Sequence, residues 1–275
     1  MNESFFNVDS ATYAYLDIGD KGKEVLVLLH GFTGTKQTWS PFFSQLEKYF
    51  RVIAIDMPGH GNSTIDMPIT METFCHHLFT LLEKENCTNI HLLGYSMGGR
   101  SALSFAMMHE SMVKTLLLES ASPGLKTEKE RKLRRDQDSQ LAEKLLTSSI
   151  EDFVNKWEQI PLFASQKSLP KSVQQKIRRE RLLQEPEGLS NSLKYMGTGI
   201  QPSWWKPLNH LNTKVLLVVG ELDEKFVQIN RQMHELLPHS RLEVVKEAGH
   251  AIHVEQEAKF VKLVIDFIKN EKGLS

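Results

Sequence analysis

A chain of 275 residues with 40% apolar content is long enough for one substantial core, and its basic and acidic side chains nearly cancel to a formal net charge of -1. That balance excludes an overall field favouring nucleic acid or an anionic membrane surface. The longest apolar runs, such as Val25–Leu29 and 116–118, fall far below the roughly 20 residues of a membrane-spanning helix, so no membrane insertion is expected. Cys75 and Cys87 are too few for a disulfide framework. Met1-Asn2-Glu3-Ser4 lacks the basic start and apolar stretch of a secretory signal. The expectation is a cytoplasmic protein with one main domain.

In chain order, Tyr13-Ala14-Tyr15-Leu16 before Gly19-Asp20-Lys21-Gly22 predicts an antiparallel hairpin leading into the first buried strand, Val25–Leu29. Runs at 52–55, 90–93, 113–118, 215–219 and 242–245 read as further strands buried on both faces, as a parallel sheet requires. Between most of them, 39–50, Met71–Lys84, 98–109 and 226–237 space apolar residues three and four apart, the helical period. This alternation predicts an α/β fold, a mostly parallel central sheet flanked by helices. From about 123 to 207 no strand pattern appears and the chain turns charged and helical, which reads as an inserted helical cap between core segments 1–122 and 208–275. The stretch 127–138, taken alone, reads as a solvated helix face. Phe260, Val261, Val264, Ile265 and Ile268 form the apolar stripe of a final docking helix.

The chemistry begins at Ile90-His91-Leu92-Leu93-Gly94-Tyr95-Ser96-Met97-Gly98-Gly99: a buried strand, a Gly-x-Ser-x-Gly turn and the start of a helix. So tight a turn requires Gly94 and Gly98 to lack side chains, and it presents the Ser96 hydroxyl above the sheet edge. The Met97 N–H, at a helix start, is then free to donate to a developing oxyanion. A second donor is expected from the loop after the first buried strand, His30-Gly31-Phe32-Thr33-Gly34, where the Phe32 N–H is the candidate.

A serine hydroxyl needs an imidazole to take its proton and a carboxylate to orient that imidazole, in the order Ser, acid, His for this strand-turn-helix context. Asp223 follows the strand 215–219 and His250 follows 242–245, so each is expected at the carboxyl end of a strand, where open α/β sheets gather ligands. Glu221 and His253 stand as competitors within the same loops. His30 and His60 read as loop supports. His76 and His77 beside Cys75 have no second ligand pair at metal spacing, and Gly31 to Lys36 lacks the Gly-Lys-Ser/Thr of a phosphate loop, so neither metal nor cofactor is expected.

Through His30-Gly31-Phe32, Asp56-Met-Pro-Gly-His-Gly61, Gly94 to Gly98, Gly220-Glu-Leu-Asp223 and Gly249-His250, the chain resembles the α/β-hydrolase superfamily over nearly its whole length. Those motifs speak to fold and not to substrate. A narrower resemblance, carried by Gly94-Tyr-Ser-Met-Gly-Gly-Arg100, Glu119-Ser-Ala-Ser-Pro-Gly-Leu125, 157–163, Gly197-Thr-Gly-Ile-Gln-Pro-Ser-Trp204 and Gly220-Glu-Leu-Asp-Glu-Lys-Phe226, is to the 2-succinyl-6-hydroxy-2,4-cyclohexadiene-1-carboxylate synthases of menaquinone biosynthesis. One departure is Glu257, where that family often has proline. The resemblance implies a lyase that eliminates pyruvate from an enolpyruvyl-bearing polycarboxylate, with Ser96, His250 and Asp223 acting as base. It also implies that Arg100, Arg134 and Arg181 hold carboxylates and that Tyr95 and Trp157 line the pocket, with Arg131, Arg135, Arg178 and Arg179 close enough in sequence to leave the cap register open.

Three readings follow: the carbon–oxygen lyase, an esterase or carbon–carbon bond hydrolase with covalent Ser96, and a non-catalytic ligand-binding protein. An enolate and a tetrahedral intermediate both place negative charge on oxygen, so the triad alone does not choose between the first two. Oligomeric state is left open.

Overall fold

Runs of leucine and valine with no polar face can be satisfied only between two apolar layers, and here they become adjacent strands with helices on both sides. The computed structural model describes residues 3–270. Residues 1–2 and 271–275, the outer ends of the expected core segments and part of the leader reading, lie outside the described residues. The strands are β1 (Glu3–Val8), β2 (Ala11–Ile18), β3 (Val25–Leu29), β4 (Arg51–Ile55), β5 (Thr64–Ile65), β6 (Ile90–Tyr95), β7 (Val113–Glu119), β8 (Lys214–Gly220) and β9 (Ser240–Val245). They run β1-β2-β4-β3-β6-β7-β8-β9 across the sheet, with β5 pairing β2. All pairs from β4 to β9 along this path are parallel, whereas β2 is antiparallel to β1, β4 and β5.

Alternate residues of the central strands divide the core in two. Val27, Leu29, Leu92 and Leu217 pack with Phe74 of α2 (Met71–Lys84) and Phe105 of α3 (Met97–Met108). Leu26, Leu28, Leu93 and Leu216 face the other way, onto Trp39, Phe42 and Phe260 of the last helix, α10 (Glu257–Asn270). In order between α3 and α10 the remaining helices are α4 (Glu128–Thr147), α5 (Ile150–Trp157), α6 (Lys171–Leu182), α7 (Pro186–Met196), α8 (Glu224–Leu236) and α9 (Ile252–Glu255), with α1 (Phe43–Leu46) preceding them all. Helices α4 to α7 fall between β7 and β8, a stretch without a strand among the described residues, and share their own apolar cluster of Ala142, Leu145, Phe153, Val154, Leu189 and Leu193.

Three local expectations are corrected. The hairpin is β1–β2, turning at residues 9 and 10, and β2 lies beside β4 instead of leading to a paired β3. The Gly19-Asp20-Lys21-Gly22 turn instead leads into a crossover, because the fully buried β3 is claimed on both sides by parallel partners. The expected helix 39–50 is a 3-10 stretch, Lys36–Phe42, and the single turn α1; Pro41 offers no N–H to the helical ladder there. Strand β9 is an edge strand with only Val245 buried, so its alternation carries less of the core than its composition implied.

The loop after β3 is pinned from below. The His30 Nδ1–H donates to the Gly31 carbonyl at 2.8 Å, and its Nε2 accepts the Met57 N–H at 2.9 Å, an arrangement that requires the neutral ring. Lys36 Nζ bridges Asp56 Oδ2 at 2.5 Å and Glu3 Oε1 at 2.6 Å. Asp56 also accepts the N–H groups of Lys36 and Asn62. His60 stands edge-on to both His30 and Phe32, at 5.2 and 5.6 Å between ring centres.

Burial pushes the His30 pKa down to about 4 and that of His60 down to about 3. Between those values and the ordinary 6.5 the unfolded chain holds more protons than the folded one, so stability is fully present above pH 6.5 and declines as pH falls through the window. We expect the urea midpoint to drop steadily from pH 6.5 towards about 4, and His60→Asn to flatten that slope. A variant slope equal to that of the parent would remove His60 as a source of the acid sensitivity.

Candidate active site

Strand β6 ends at Tyr95 and helix α3 begins at Met97, so Ser96 alone makes the reversal. It does so at φ 51° and ψ -105°, a strained conformation for a residue with a side chain. The surroundings enforce it. A Cβ on Gly94 would overlap the Gly98 carbonyl, and one on Gly98 would overlap the carbonyl of Leu29 in β3. The Ser96 N–H continues the sheet ladder by donating to Glu119 at 2.8 Å, and its carbonyl accepts the Arg100 N–H at 2.9 Å to start the helix.

Two other strand ends supply what the hydroxyl needs. Just beyond β8, Asp223 caps α8 by accepting the Phe226 N–H on Oδ1 at 3.4 Å, which leaves Oδ2 to take a bond from His250 Nδ1 at 2.6 Å. His250 Nε2 lies 3.0 Å from Ser96 Oγ. With the proton on Nδ1, Nε2 is the acceptor and the serine O–H the donor. The Phe226 ring packs on the imidazole at 4.7 Å, and His250 is 1% exposed, so the ring has little freedom to leave the line between its partners. The loop that carries it is tied by the Gly249 N–H donating to Glu255 at 2.6 Å.

The competitors are engaged elsewhere. Glu221 is exposed and accepts the Glu247 N–H at 3.2 Å. His253 is buried, bonded by Nδ1 and by its backbone N–H to Glu119 at 2.9 Å. His77 bonds Tyr13 and Asp9, and His76 stacks edge-on against His109; among the described residues no three metal-type ligands converge.

A cavity of about 370 Å³ opens on Ser96 and His250. Its apolar wall includes Phe32, Trp157, Leu162 and Phe163, mostly from the segment between β7 and β8. Phe32 thus borders the same space as the serine, and Met97 follows the serine directly; their N–H groups meet no protein acceptor among the described residues. The cations of the cavity are Arg100, Arg134 and Lys225. Arg100, the first of these, is only partly exposed, and loss of water around it together with the charge of Arg134 pushes its pKa down to about 10. Arg134 is half-exposed and bonds Asp138 Oδ1 through Nε at 2.8 Å. Lys225 was missed by sequence reasoning, although its place two residues after the acid, in the first turn of a helix starting at the sheet edge, was a usable signal. Ser120 and Ser122, just beyond β7, also line the cavity, and Ser120 Oγ and Trp157 Nε1 lack hydrogen-bond partners among the described residues.

Two expected pocket residues do not line this cavity. Tyr95 and Arg181 border a separate space of about 60 Å³ with Gly31, Gln166 and His253. The Tyr95 ring is held against His253 at 4.6 Å and also lies 5.5 Å from the His250 ring, so it supports the triad imidazole without bordering the larger cavity. The Arg181 guanidinium sits over the Phe163 ring at 4.7 Å with Glu158 3.5 Å away, so Phe163, a wall of the larger cavity, stands between it and the Ser96 space.

Comparison with known proteins places this geometry in a family. A profile of the α/β hydrolase fold matches residues 24–257. A Bacillus subtilis (strain 168) protein named as a candidate 2-succinyl-6-hydroxy-2,4-cyclohexadiene-1-carboxylate synthase is 43% identical, over 94% of this chain and 96% of its own. The synthase of that name from Enterobacter sp. (strain 638) is 30% identical over 87% of this chain and 90% of its own. Among solved structures, MenH from S. aureus superposes with a TM-score of 0.89 at 38% identity, covering 94% of this chain and 98% of that one. The chain therefore belongs to the α/β-hydrolase fold family and, within it, to the family of the 2-succinyl-6-hydroxy-2,4-cyclohexadiene-1-carboxylate synthases.

Proposed function

We propose that this protein is a carbon–oxygen lyase that eliminates pyruvate from 2-succinyl-5-enolpyruvyl-6-hydroxy-3-cyclohexene-1-carboxylate, giving 2-succinyl-6-hydroxy-2,4-cyclohexadiene-1-carboxylate for menaquinone biosynthesis in the cytoplasm. The observation that carries this reading is that one cavity opens on Ser96 and on His250, whose far nitrogen is bonded to Asp223, and is lined as well by Arg100, Arg134 and Lys225. Among the described residues the lining includes no carboxylate, so a neutral ester would leave much of this positive charge unanswered even with Arg134 bonded to Asp138, whereas a substrate with several carboxylates answers it. The kinship with synthases of this name supports the same substrate.

In this mechanism Ser96 is part of a base. Its hydroxyl gives its proton to His250 Nε2 as it takes one from a ring carbon of the substrate, and Asp223 stabilises the imidazolium at Nδ1. The electron pair left on carbon forms the new ring double bond while the carbon–oxygen bond to the enolpyruvyl group breaks. The departing enolpyruvate takes up the proton held at His250 Nε2 and becomes pyruvate, so that the enzyme ends as it began. The N–H groups of Phe32 and Met97 stabilise negative charge developing on substrate oxygen. Residues 123–207 act as a cap over a core of 1–122 and 208–275, contributing the apolar wall that excludes water and strengthens every charge interaction inside. Arg100, Arg134 and Lys225 bind carboxylates, and the Trp157 ring forms part of the apolar wall. Tyr95 and Arg181 contribute from behind, by packing the His253 side of the loop and the back of Phe163.

Purified protein is expected to release pyruvate from the enolpyruvyl compound, and Ser96→Ala to lower that rate by about 10³-fold or more with an unchanged thermal transition. Turnover of simple esters without pyruvate release would overturn the lyase reading. Replacement of Arg134 by alanine is expected to raise KM by about 10-fold with kcat little changed, as loss of one charge-assisted contact at a half-exposed site predicts. Lys225→Met should act in the same direction, and raised salt should weaken substrate binding by the parent enzyme. KM values indifferent to both substitutions would take these cations out of substrate recognition.

A further inference from the structure

Arg100 is a partly buried guanidinium whose hydrogen-bond partners are neutral. Its Nη1 donates to the Met196 carbonyl at 3.0 Å and to the side-chain oxygen of Gln201. Among the described residues no carboxylate comes within ion-pairing distance of it. The carboxyl whose field does reach it, Asp138 on α4, is already bonded to Arg134. That carboxyl reaches Arg134 through Oδ1 only, and burial holds its pKa above the ordinary value. A cation stripped of much of its water and left without a counter-ion is an expensive state for a fold to keep.

Gln201 is built in as firmly as a core residue. It is 1% exposed, and its backbone N–H donates to Gly197 at 3.1 Å. Its amide packs against Gly124, where φ is 91° and a Cβ would press on Gln201 Nε2. The neighbouring Trp204 N–H donates to Pro123 at 2.8 Å, tying the two segments together. The orientation of the amide follows from chemistry, since turning Nε2 towards Arg100 would set donor against donor; that nitrogen accordingly has no partner among the described residues. A glutamate would fill the same volume, and it would neutralise the guanidinium. The chain holds the neutral isostere at this point, beside a cation in the wall of the cavity that contains Ser96.

We infer that Gln201 is a positioning and selectivity residue: its amide aims the Arg100 guanidinium at the cavity without giving it a resident counter-charge, so that the carboxylate of an incoming substrate supplies the missing partner. The inference relies on the proposed function only for the identity of that anion. Gln201 touches Arg100 and acts through it, and the triad by itself does not require an uncharged group here.

Gln201→Glu changes charge at nearly constant shape. For this variant the ligand-free thermal midpoint should hold or rise, KM for the enolpyruvyl substrate should rise about 10- to 100-fold, and kcat should stay within about threefold. The stabilisation that the product 2-succinyl-6-hydroxy-2,4-cyclohexadiene-1-carboxylate gives the parent protein in a thermal-shift titration should largely disappear. A merely structural glutamine predicts the reverse, because glutamate is the stronger acceptor; unchanged KM and an unchanged shift with product would overturn the inference. Should Gln201→Glu fail to fold, Arg100→Met provides the second measurement. Removing an uncompensated charge should leave the ligand-free midpoint equal or higher while abolishing the response to product, and a midpoint several degrees lower would overturn the inference. Parent protein that is stabilised by the product but releases no pyruvate would count against the proposed reaction alone, and the loss or retention of product stabilisation in Gln201→Glu would still decide the role of the amide.

Discussion

A buried imidazole is useful to catalysis only when both of its nitrogens are committed, one to a carboxylate that fixes its tautomer and one to the group it is to deprotonate. The bonds of His250 to Asp223 at 2.6 Å and to Ser96 at 3.0 Å set that condition, and much of the fold is arranged to meet it. Three residues far apart in sequence must arrive at one rim. Parallel strands achieve this because their carboxyl ends all face the same way: Tyr95 of β6 pairs with Glu119 of β7, Glu119 pairs with Val218 of β8, and Gly220 pairs with Val245 of β9. The residues immediately beyond those ends therefore share one level. What the sheet brings together, the glycines at 94 and 98 and the strained backbone at 96 then place to within hydrogen-bonding distance.

The space above that rim combines aromatic walls with cations that are only partly neutralised. Trp157 stacks on Phe153, and both meet Phe32 edge-on, so the helical segment and the loop after β3 share one aromatic seam over the serine. Apolar walls lower the local dielectric and make each uncompensated charge count for more. In that setting the positive charge of Arg100 and Arg134 in the cavity wall is what the proposed polycarboxylate substrate would answer.

The central architecture is legible in the sequence because burial on both faces leaves a strong mark. Strand β3 is an unbroken apolar run and β4, β6, β7 and β8 each carry a dense apolar stretch, and the strand, Gly-x-Ser-x-Gly and helix succession marks the turn at Ser96. Strand β1 leaves little mark because its exposed Phe5 and polar ends dilute the pattern, and the partner of β2 cannot be read from a local turn when the true neighbour, β4, lies a crossover away. In the helical segment, periodicity shows that helices exist but not which face each one turns inward. Arg134 and Arg181 carry similar sequence contexts, yet one lines the cavity and the other lies behind Phe163. Lys225 and Gln201 both sit inside stretches that carry the family resemblance; the place of Lys225 just after the acid was a usable signal, whereas a lone glutamine has no spacing that announces a role and takes its meaning from the neighbours the fold provides.

If hydroxyl, imidazole and carboxylate work as one base in eliminating pyruvate, the charge of Asp223 is indispensable even though it never touches the substrate. Single-turnover pyruvate release by Asp223→Asn tests this most directly, because the substitution preserves shape but removes the charge that holds the His250 tautomer. The rate should fall by about 10²- to 10⁴-fold with the substrate still bound. Release within a few-fold of the parent rate would contradict a triad acting as the base.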